Sequence, residues 1–474
     1  MFLSAFYSLA FQIHGLIGPT GVLPADDYLA RVARAVPGVA RFWYAPTLLW
    51  LGASNGALTT LWVMGGVASV LLLVNVWPRA SLVVAFLAFL SFIAAAQEFS
   101  SYQSDGMLLE AGFLSLFFAP PGRRPGLGPA SPPSRASLFL LRWECFRIYF
   151  ESGVVKLASG DPSWRDMTAM DHYYENGPLP TWLGWYVQHW GHAFHAATAL
   201  ATLVIELGLV WAFFLPRRLR IPCCLMVTAL QVGIIATANY AFLNYIVLSL
   251  GVLLLDDAFL RDVVRRLRGA DAMPPVVTSP ETPPPTWKLA AVAVPLIWVF
   301  YATCADFLLS GAPEPIAGLA WPAHALGPLR IANRYGLFAV MTPGRYEIEF
   351  QGTTDGVTWT AYPFRYKPQS LDVPPGIYAP YQPRFEWNLW FASLGGCRDN
   401  RWVQRAESRL LDGDPGVLGL FAKNPFASAP PVAVRTVVSQ YWFTDLETKR
   451  STGRWWRRDE IGAYCGAVTR KTRP

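Results

Sequence analysis

ASLVVAFLAFLSFIAAAQE, residues 80–98, carries no charged side chain before its last position. As α-helix these residues rise about 29 Å, close to the ~30 Å hydrocarbon core of a bilayer. Runs of the same kind recur on both sides: Phe2–Ile17, Ala57–Trp77, Met107–Ala119, Leu138–Ala158, Ala193–Leu215, Ile221–Ala238, Ala241–Leu255 and Trp287–Ser310. The chain is 53% hydrophobic and 15% charged, where soluble proteins carry about 25% charged residues. Residues 1–310 are therefore expected to form an all-α polytopic membrane helix bundle of about eight or nine helices. The first run is short and is broken by Gly18-Pro19-Thr20-Gly21. Ala25–Val36 reads as an interfacial helix, and Ile221–Asp256 also reads as one hairpin turning near Asn239. The opening segment lacks the basic start and small-residue cleavage site of a signal peptide.

From about Arg330 the apolar runs stop. Residues 330–474 are expected to form a small β-rich domain with short helices. Phe338–Val340, Tyr346–Gln351 and Thr358–Tyr366 read as strands, with turns at Gly344 and Thr354–Val357, while Leu394–Leu411 and Ala433–Phe443 are mixed. Residues 330–474 hold 20 Lys and Arg against 13 Asp and Glu, so the whole formal charge of +7 lies there. Those basic residues are scattered, which argues against nucleic acid and for lipid headgroups or an acidic partner.

Lys and Arg in short loops set the orientation. Arg123, Arg124 and Arg135, then Arg217, Arg218 and Arg220, then Arg261, Arg265, Arg266 and Arg268 all fall on one side of the nine-helix pattern, which should be cytoplasmic. The Pro-rich linker 269–286 joins that side. Loop 160–192 and the tail after Ser310 fall on the extracytoplasmic side; Arg31, Arg34 and Arg41 violate the pattern. Cys145, Cys223, Cys224 and Cys304 sit in apolar runs, and Cys397 and Cys465 are the pair that can form one disulfide in an exported tail. No pair has zinc-site spacing.

Within Leu138–Ala158 stand Arg142, Glu144, Arg147, Glu151 and Lys156. Five charges at membrane depth need partners or water. Glu144, Arg147 and Glu151 share one helical face at spacings that allow an internal ion-pair ladder. Glu98, Asp105, Glu110 and Glu206 are further acids available as counter-charges. The network reads either as packing glue or as the lining of a polar cavity, with Lys156 or Glu151 as acid or base. The external loop gathers Asp161, Trp164, Arg165, Asp166, Asp171, His172, Tyr173, Tyr174 and Glu175. His172 is the third catalytic candidate in a surface that equally suits an interfacial aromatic belt. His189, His192 and His195 are spaced i,i+3 without an acid at matching spacing, so no metal site is assigned. No nucleophile elbow, zinc-protease helix, P-loop or dinucleotide fingerprint is present, and no cofactor is expected.

Several long stretches carry a family resemblance. They are Gly15–Ala25, Leu141–Glu151, Ser163–Asp166, His172–Glu175 through Pro178–Pro180, Thr237–Tyr240, Asn333–Phe338, Pro383–Ala392 and Asn424–Phe426. Along nearly its whole length the chain resembles the lipase maturation factor family. The resemblance implies a multi-pass membrane protein, resident in the endoplasmic reticulum membrane in animals, that helps secreted lipases fold and leave. The bacterial inner membrane is the corresponding site in a prokaryote. It also implies that the tail faces away from the cytosol and handles clients. Arg384, Phe385, Trp387, Asn388, Trp390 and Phe391 are the client-binding candidates, alongside Trp442, Trp455 and Trp456, which as a β-domain core would face inward instead. The expected partners are the bilayer and secreted clients such as lipases.

A fainter likeness, on Tyr149–Leu157 with Asp161 and Trp164, is to the membrane region of vitamin K-dependent gamma-carboxylases, where a lysine in the similar segment acts as base. It implies the alternative: a membrane enzyme acting on a lipid-like substrate or exported protein in a polar bundle cavity around Lys156. A maturation factor without catalysis is the preferred reading.

Overall fold

The computed structural model describes residues 1–100, 102–128, 131–268, 286–309 and 317–470. Linker 269–286, apart from its last residue, and Ser310 lie outside the described residues.

Phe2–Ile17 is two short helices, α1 (Phe2–Ala10) and α2 (Ile13–Ile17), broken at Phe11–Gln12. Helix α3 (Ala25–Ala35) is amphipathic: Asp26 and Asp27 sit in its first turn, Arg34 in its last, and Leu29 and Val32 face inward. That charge order complements the helix dipole. After the short α4 (Ala40–Tyr44), the long helix α5 (Asn55–Leu73) starts where the Ser54 hydroxyl accepts the Ala57 N–H at 3.2 Å. Helix α6 (Pro78–Ala95) opens on a proline, which gives up only an N–H that a first turn leaves unpaired. It is the central strut, with 67% of its residues buried against 28% in α5.

The bundle continues with α7 (Gln103–Phe118) and α8 (Arg135–Ala158), then the helices of loop 160–192, α9 (Ala169–Asn176) and α10 (Trp182–Gln188). Helix α11 (His192–Leu207) runs on through the 3-10 turn Leu209–Phe214. It is followed by α12 (Arg217–Thr237), α13 (Leu243–Gly251), α14 (Asp257–Arg268), α15 (Thr286–Leu309) and α16 (Ala317–His324).

Among the described residues five helices are long and apolar enough to cross a membrane: Asn55–Leu73, Pro78–Ala95, His192–Phe214, Arg217–Thr237 and Ala290–Leu308. The count is six if Leu243–Leu254 and Asp257–Leu267, bent by 94°, form one span. Length and composition alone do not reach the expected eight or nine. The first run is broken, α7 has only 16 residues, and α8 is long enough at 24 residues but carries too many charges for an apolar span.

The tail holds a four-stranded antiparallel sheet in the order β2-β1-β3-β4. The strands are β1 (Arg345–Thr353), β2 (Thr360–Ala361), β3 (Ala433–Phe443) and β4 (Trp456–Thr469), with Phe350 opposite Thr436. Four helices accompany it: α17 (Arg384–Ser393), α18 (Arg401–Leu411), α19 (Pro415–Leu418) and α20 (Leu446–Thr452). The tail is thus a mixed α and β unit. Helix α18 buries Trp402, Val403, Ala406 and Leu410 along one stripe. Phe338–Val340 is not a strand, because its chain is drawn along the bundle instead. A disulfide joins Cys397, in the turn after α17, to Cys465 of β4.

Bundle and tail share one apolar core. Phe99 meets Trp402 edge-on at 5.4 Å, and Tyr102 lies 5.6 Å from Trp387. The tail meets the end of the bundle formed by α2, the α6–α7 turn, loop 160–192 and the α12–α13 turn. The opposite end carries the basic loops, where Arg217 and Arg220 pair with Asp256 and Asp262.

Candidate functional site

Helix α8 places the charged residues, and Arg142, Arg147, Glu151 and Lys156 each find a partner on another element. Arg142 gives Nε and Nη2 to the Leu253 carbonyl at 2.8 and 2.6 Å. Arg147 forks: one nitrogen pairs with Glu110 of α7, and the other donates to the Asn333 carbonyl at 2.7 Å. Its guanidinium also sits 5.2 Å from the centre of the Tyr335 ring. The second oxygen of Glu110 accepts the backbone N–H of Asn333, its side-chain amide and the Tyr335 hydroxyl at 3.0, 3.1 and 2.9 Å. Glu151 accepts the Tyr335 N–H at 2.7 Å and stands 3.9 Å from Arg147. Glu144 is fully buried within the same cluster.

These side chains act as a template for residues 333–341. The chain is laid along α8, and Ser152 accepts the Leu337 N–H at 3.2 Å. Trp164 donates to the Phe338 carbonyl at 2.9 Å, and Asp161 accepts the Met341 N–H at 2.6 Å. Gly106 makes room: a Cβ there would stand 2.8 Å from the Asn333 amide oxygen. Of the internal ladder allowed by spacing, the Arg147–Glu151 pair forms at 3.9 Å, while the nearer partners of both residues lie on α7 and in the tail.

Lys156 is held separately. Its ammonium donates to both carboxylate oxygens of Glu206 at 2.9 and 2.8 Å and lies 5.0 Å from the Trp164 ring. At 2% exposure it is enclosed. Gly153 permits the pairing, since a Cβ there would stand 2.9 Å from the Glu206 side chain.

Further contacts complete a seam between bundle and tail. Arg384 forms a two-pronged pair with Asp105, both distances 2.7 Å, and donates to the Phe99 carbonyl at 2.8 Å. Asn239, in the α12–α13 turn, accepts the N–H groups of Tyr378 and Ala379 at 2.7 and 3.0 Å and donates to the Gly376 carbonyl at 2.9 Å. Gln12 reaches the Gln382 carbonyl at 2.9 Å. Arg345 of β1 donates to the carbonyls at Glu175 and Pro178, both at 2.9 Å. Glu175 in turn accepts the Phe443 N–H at 2.6 Å. Burial still pushes its carboxyl above the usual range.

In loop 160–192, His172 is exposed. Its neighbour Asp171 draws in His192 and His195 at 2.8 and 2.9 Å. Burial pushes the Asp171 carboxyl up, but the hydrogen bonds from the two imidazoles outweigh it and hold the group below its usual range. Among the described residues no cluster of His, Cys, Asp and Glu has a metal-binding arrangement.

The client-binding candidates are mostly interior. Arg384, Phe385, Trp387 and Asn388 are buried, Trp390 is half-buried with its indole N–H on the Asn176 carbonyl at 3.0 Å, and Phe391 alone is 46% exposed. Their expected display is corrected: α17 is wedged between β1 and the α6–α7 turn, so its aromatics fill the core. Trp456 is buried, and Trp442 and Trp455 are half-buried under Arg457 and Lys449. Charge at membrane depth singled out α8 and its counter-acids in the sequence. Nothing comparable marked Gln12, Asn333 or Arg345, whose partners lie more than 165 residues away.

Arg147, Trp164, Glu175, Asn239, Asn333 and Arg384 of the seam fall in the stretches that carry the family resemblance, and comparison with known proteins agrees with that resemblance. The pattern described as "Lipase maturation factor transmembrane domain" matches residues 1–262, and that described as "Lipase maturation factor C-terminal domain" matches residues 331–466. The chain is 32% identical to a human protein named "Lipase maturation factor 2", over 99% of this chain and 81% of that one. It is 30% identical to the chicken protein of the same name, over 99% and 80%. To the Bos taurus "Lipase maturation factor 1" it is also 30% identical, over 99% and 86%. No solved structure matches the chain.

Proposed function

The chain belongs to the lipase maturation factor family, and from that premise we propose that it is a membrane-bound maturation factor that assists the folding and export of secreted lipases or similar clients. The carrying observation is the match of both family patterns on one multi-pass chain, joined by a buried seam. A tail fixed on the membrane by Arg384–Asp105, Arg147–Asn333 and Asn239–Tyr378 is a platform, held at constant height over the bilayer where a client emerges.

The tail faces the extracytoplasmic side in this reading. Support comes from the basic loops, which gather at the opposite end of the bundle, as the positive-inside rule requires for a cytoplasmic face. The buried charges serve docking rather than catalysis: Lys156 and Glu151 are both engaged inside the protein. The exposed face around Phe391 is the part of α17 left for a client.

The test is deletion of the chain in its native host, with secreted lipase activity measured against total lipase protein. Secreted activity should fall while lipase synthesis holds, and the wild-type chain should restore it. Unchanged secretion of active lipase overturns the proposal.

A further inference from the structure

Two cavities meet where α1 enters the tail. The larger, about 910 Å³, runs between α1, α5, α7 and α13. It extends from Tyr378 and Tyr381 at the tail end to Leu73, Phe118 and Leu253 at the basic end, so it follows the depth of the bundle. Its wall is largely apolar. The hydroxyls of Ser4, Ser69 and Ser249 are spent on the carbonyls of Pro380, Gly65 and Tyr245, and Met1 and Ser115 are further polar contributors. Hydrocarbon suits such a wall better than water does.

The smaller cavity, about 460 Å³, lies above it on the tail side and shares Tyr7, Tyr378 and Tyr381 as a collar. Two charged residues line it, Arg365 and Glu386. The Glu386 carboxylate is already used, accepting the N–H groups of Arg365, Tyr366 and Lys367 at 2.9, 2.8 and 2.7 Å. The Arg365 side chain is exposed and donates to the Gly419 carbonyl at 3.2 Å; among the described residues it forms no ion pair. A guanidinium fork with free N–H groups fits a phosphodiester.

We propose that the two cavities form one site for an anionic glycerophospholipid of the extracytoplasmic leaflet, its acyl chains in the groove and its phosphate on Arg365. Their sizes fall within the ~300–1,000 Å³ typical of ligand pockets. The apolar length, the tyrosine collar and the Arg365 guanidinium follow one another in the order tail, interface and headgroup of such a lipid.

The full chain, extracted in mild detergent, is stripped of lipid and titrated with phosphatidylglycerol or phosphatidylcholine of identical acyl chains, bound lipid being counted by native mass spectrometry. One phosphatidylglycerol should bind per chain, about five-fold tighter than phosphatidylcholine, the worth of one Arg beside an anionic headgroup. Arg365→Gln should erase that preference and leave phosphatidylcholine binding unchanged. Ser249→Trp, introduced at an exposed position, should obstruct the groove and weaken both, and Ala111→Leu should do so from the α7 wall. Inorganic phosphate should not compete. No binding by the wild type, an undiminished preference in Arg365→Gln, or unchanged affinity in both groove variants overturns the site.

Discussion

Replacing Asp105 by Asn should cost more than any surface change and should be partly reversed by removing its partner. Asp105 and Arg384 are 1% and 0% exposed, and two 2.7 Å hydrogen bonds join them across the seam. The substitution leaves a guanidinium buried with the Phe99 carbonyl and aromatic faces, among them Phe92 at 5.0 Å. Breaking one side of a buried pair costs about 3–5 kcal/mol, because the surviving charge stays desolvated. Against a typical total of ~5–15 kcal/mol, that is enough to release the tail. Replacing both partners, Asp105→Leu with Arg384→Met, removes the uncompensated charge and should recover at least half of the loss. The assay is thermal unfolding of the full chain in detergent, with tail release followed by limited proteolysis between residues 310 and 345. A single-variant loss below about 1 kcal/mol, the range of a solvated pair, would refute the reasoning. So would a double variant whose loss equals the sum of the singles.

Lys156→Ala should lower abundance by a comparable route, stranding the Glu206 carboxylate, and Lys156→Met with Glu206→Gln should restore it; quantitative blotting of membranes decides. Gly153→Ala places a methyl 2.9 Å from the Glu206 side chain, and overpacking of this kind costs about 1–3 kcal/mol, read as a lowered Tm. In the tail, burial pushes Glu407 up to about 8 and Glu386 up to about 7, from the ordinary 4.5. A carboxyl raised on folding stabilises the folded state fully below 4.5 and loses that contribution as pH rises through the folded value, so the tail's Tm should decline toward pH 8; Glu407→Gln should flatten the profile. Cys397→Ser opens a loop of sequence separation 68, and chain entropy sets the loss at about 4 kcal/mol, measurable by denaturant unfolding of oxidised and reduced protein.

The long helices were legible because an apolar run of membrane length needs no tertiary information. Asn55–Leu73 and Pro78–Ala95 lie within a few residues of their expected bounds. Where charge interrupts the pattern, composition stops predicting geometry. Residues Leu138–Ala158 read as a span with an internal ladder, yet Arg147 is satisfied by Glu110 and by a carbonyl 186 residues away. Strand β4 was missed because Arg457-Arg458-Asp459-Glu460 shows no alternation, lying on an exposed edge where both faces meet water. The aromatics of α17 looked like a display surface because the sequence does not reveal which face the α6–α7 turn covers. The counter-charges were visible as acids in apolar surroundings; their pairing was not, since nothing in local spacing distinguishes Glu110 from Glu151 as the partner of Arg147.

The docking of residues 333–341 and 384 onto α7 and α8 sets an order of events during synthesis. Asp105 is made 279 residues before its partner Arg384, and the Glu110–Arg147 pair waits more than 180 residues for the Asn333 backbone. Until then the nascent bundle carries an Asp105 carboxylate, and hydrogen-bonding groups on Glu110 and Arg147, that only the unmade tail can satisfy. A ribosome stopping between residues 310 and 384 would therefore leave not a bundle missing a domain but an unfinished membrane protein, marked for degradation by its own unanswered polar groups.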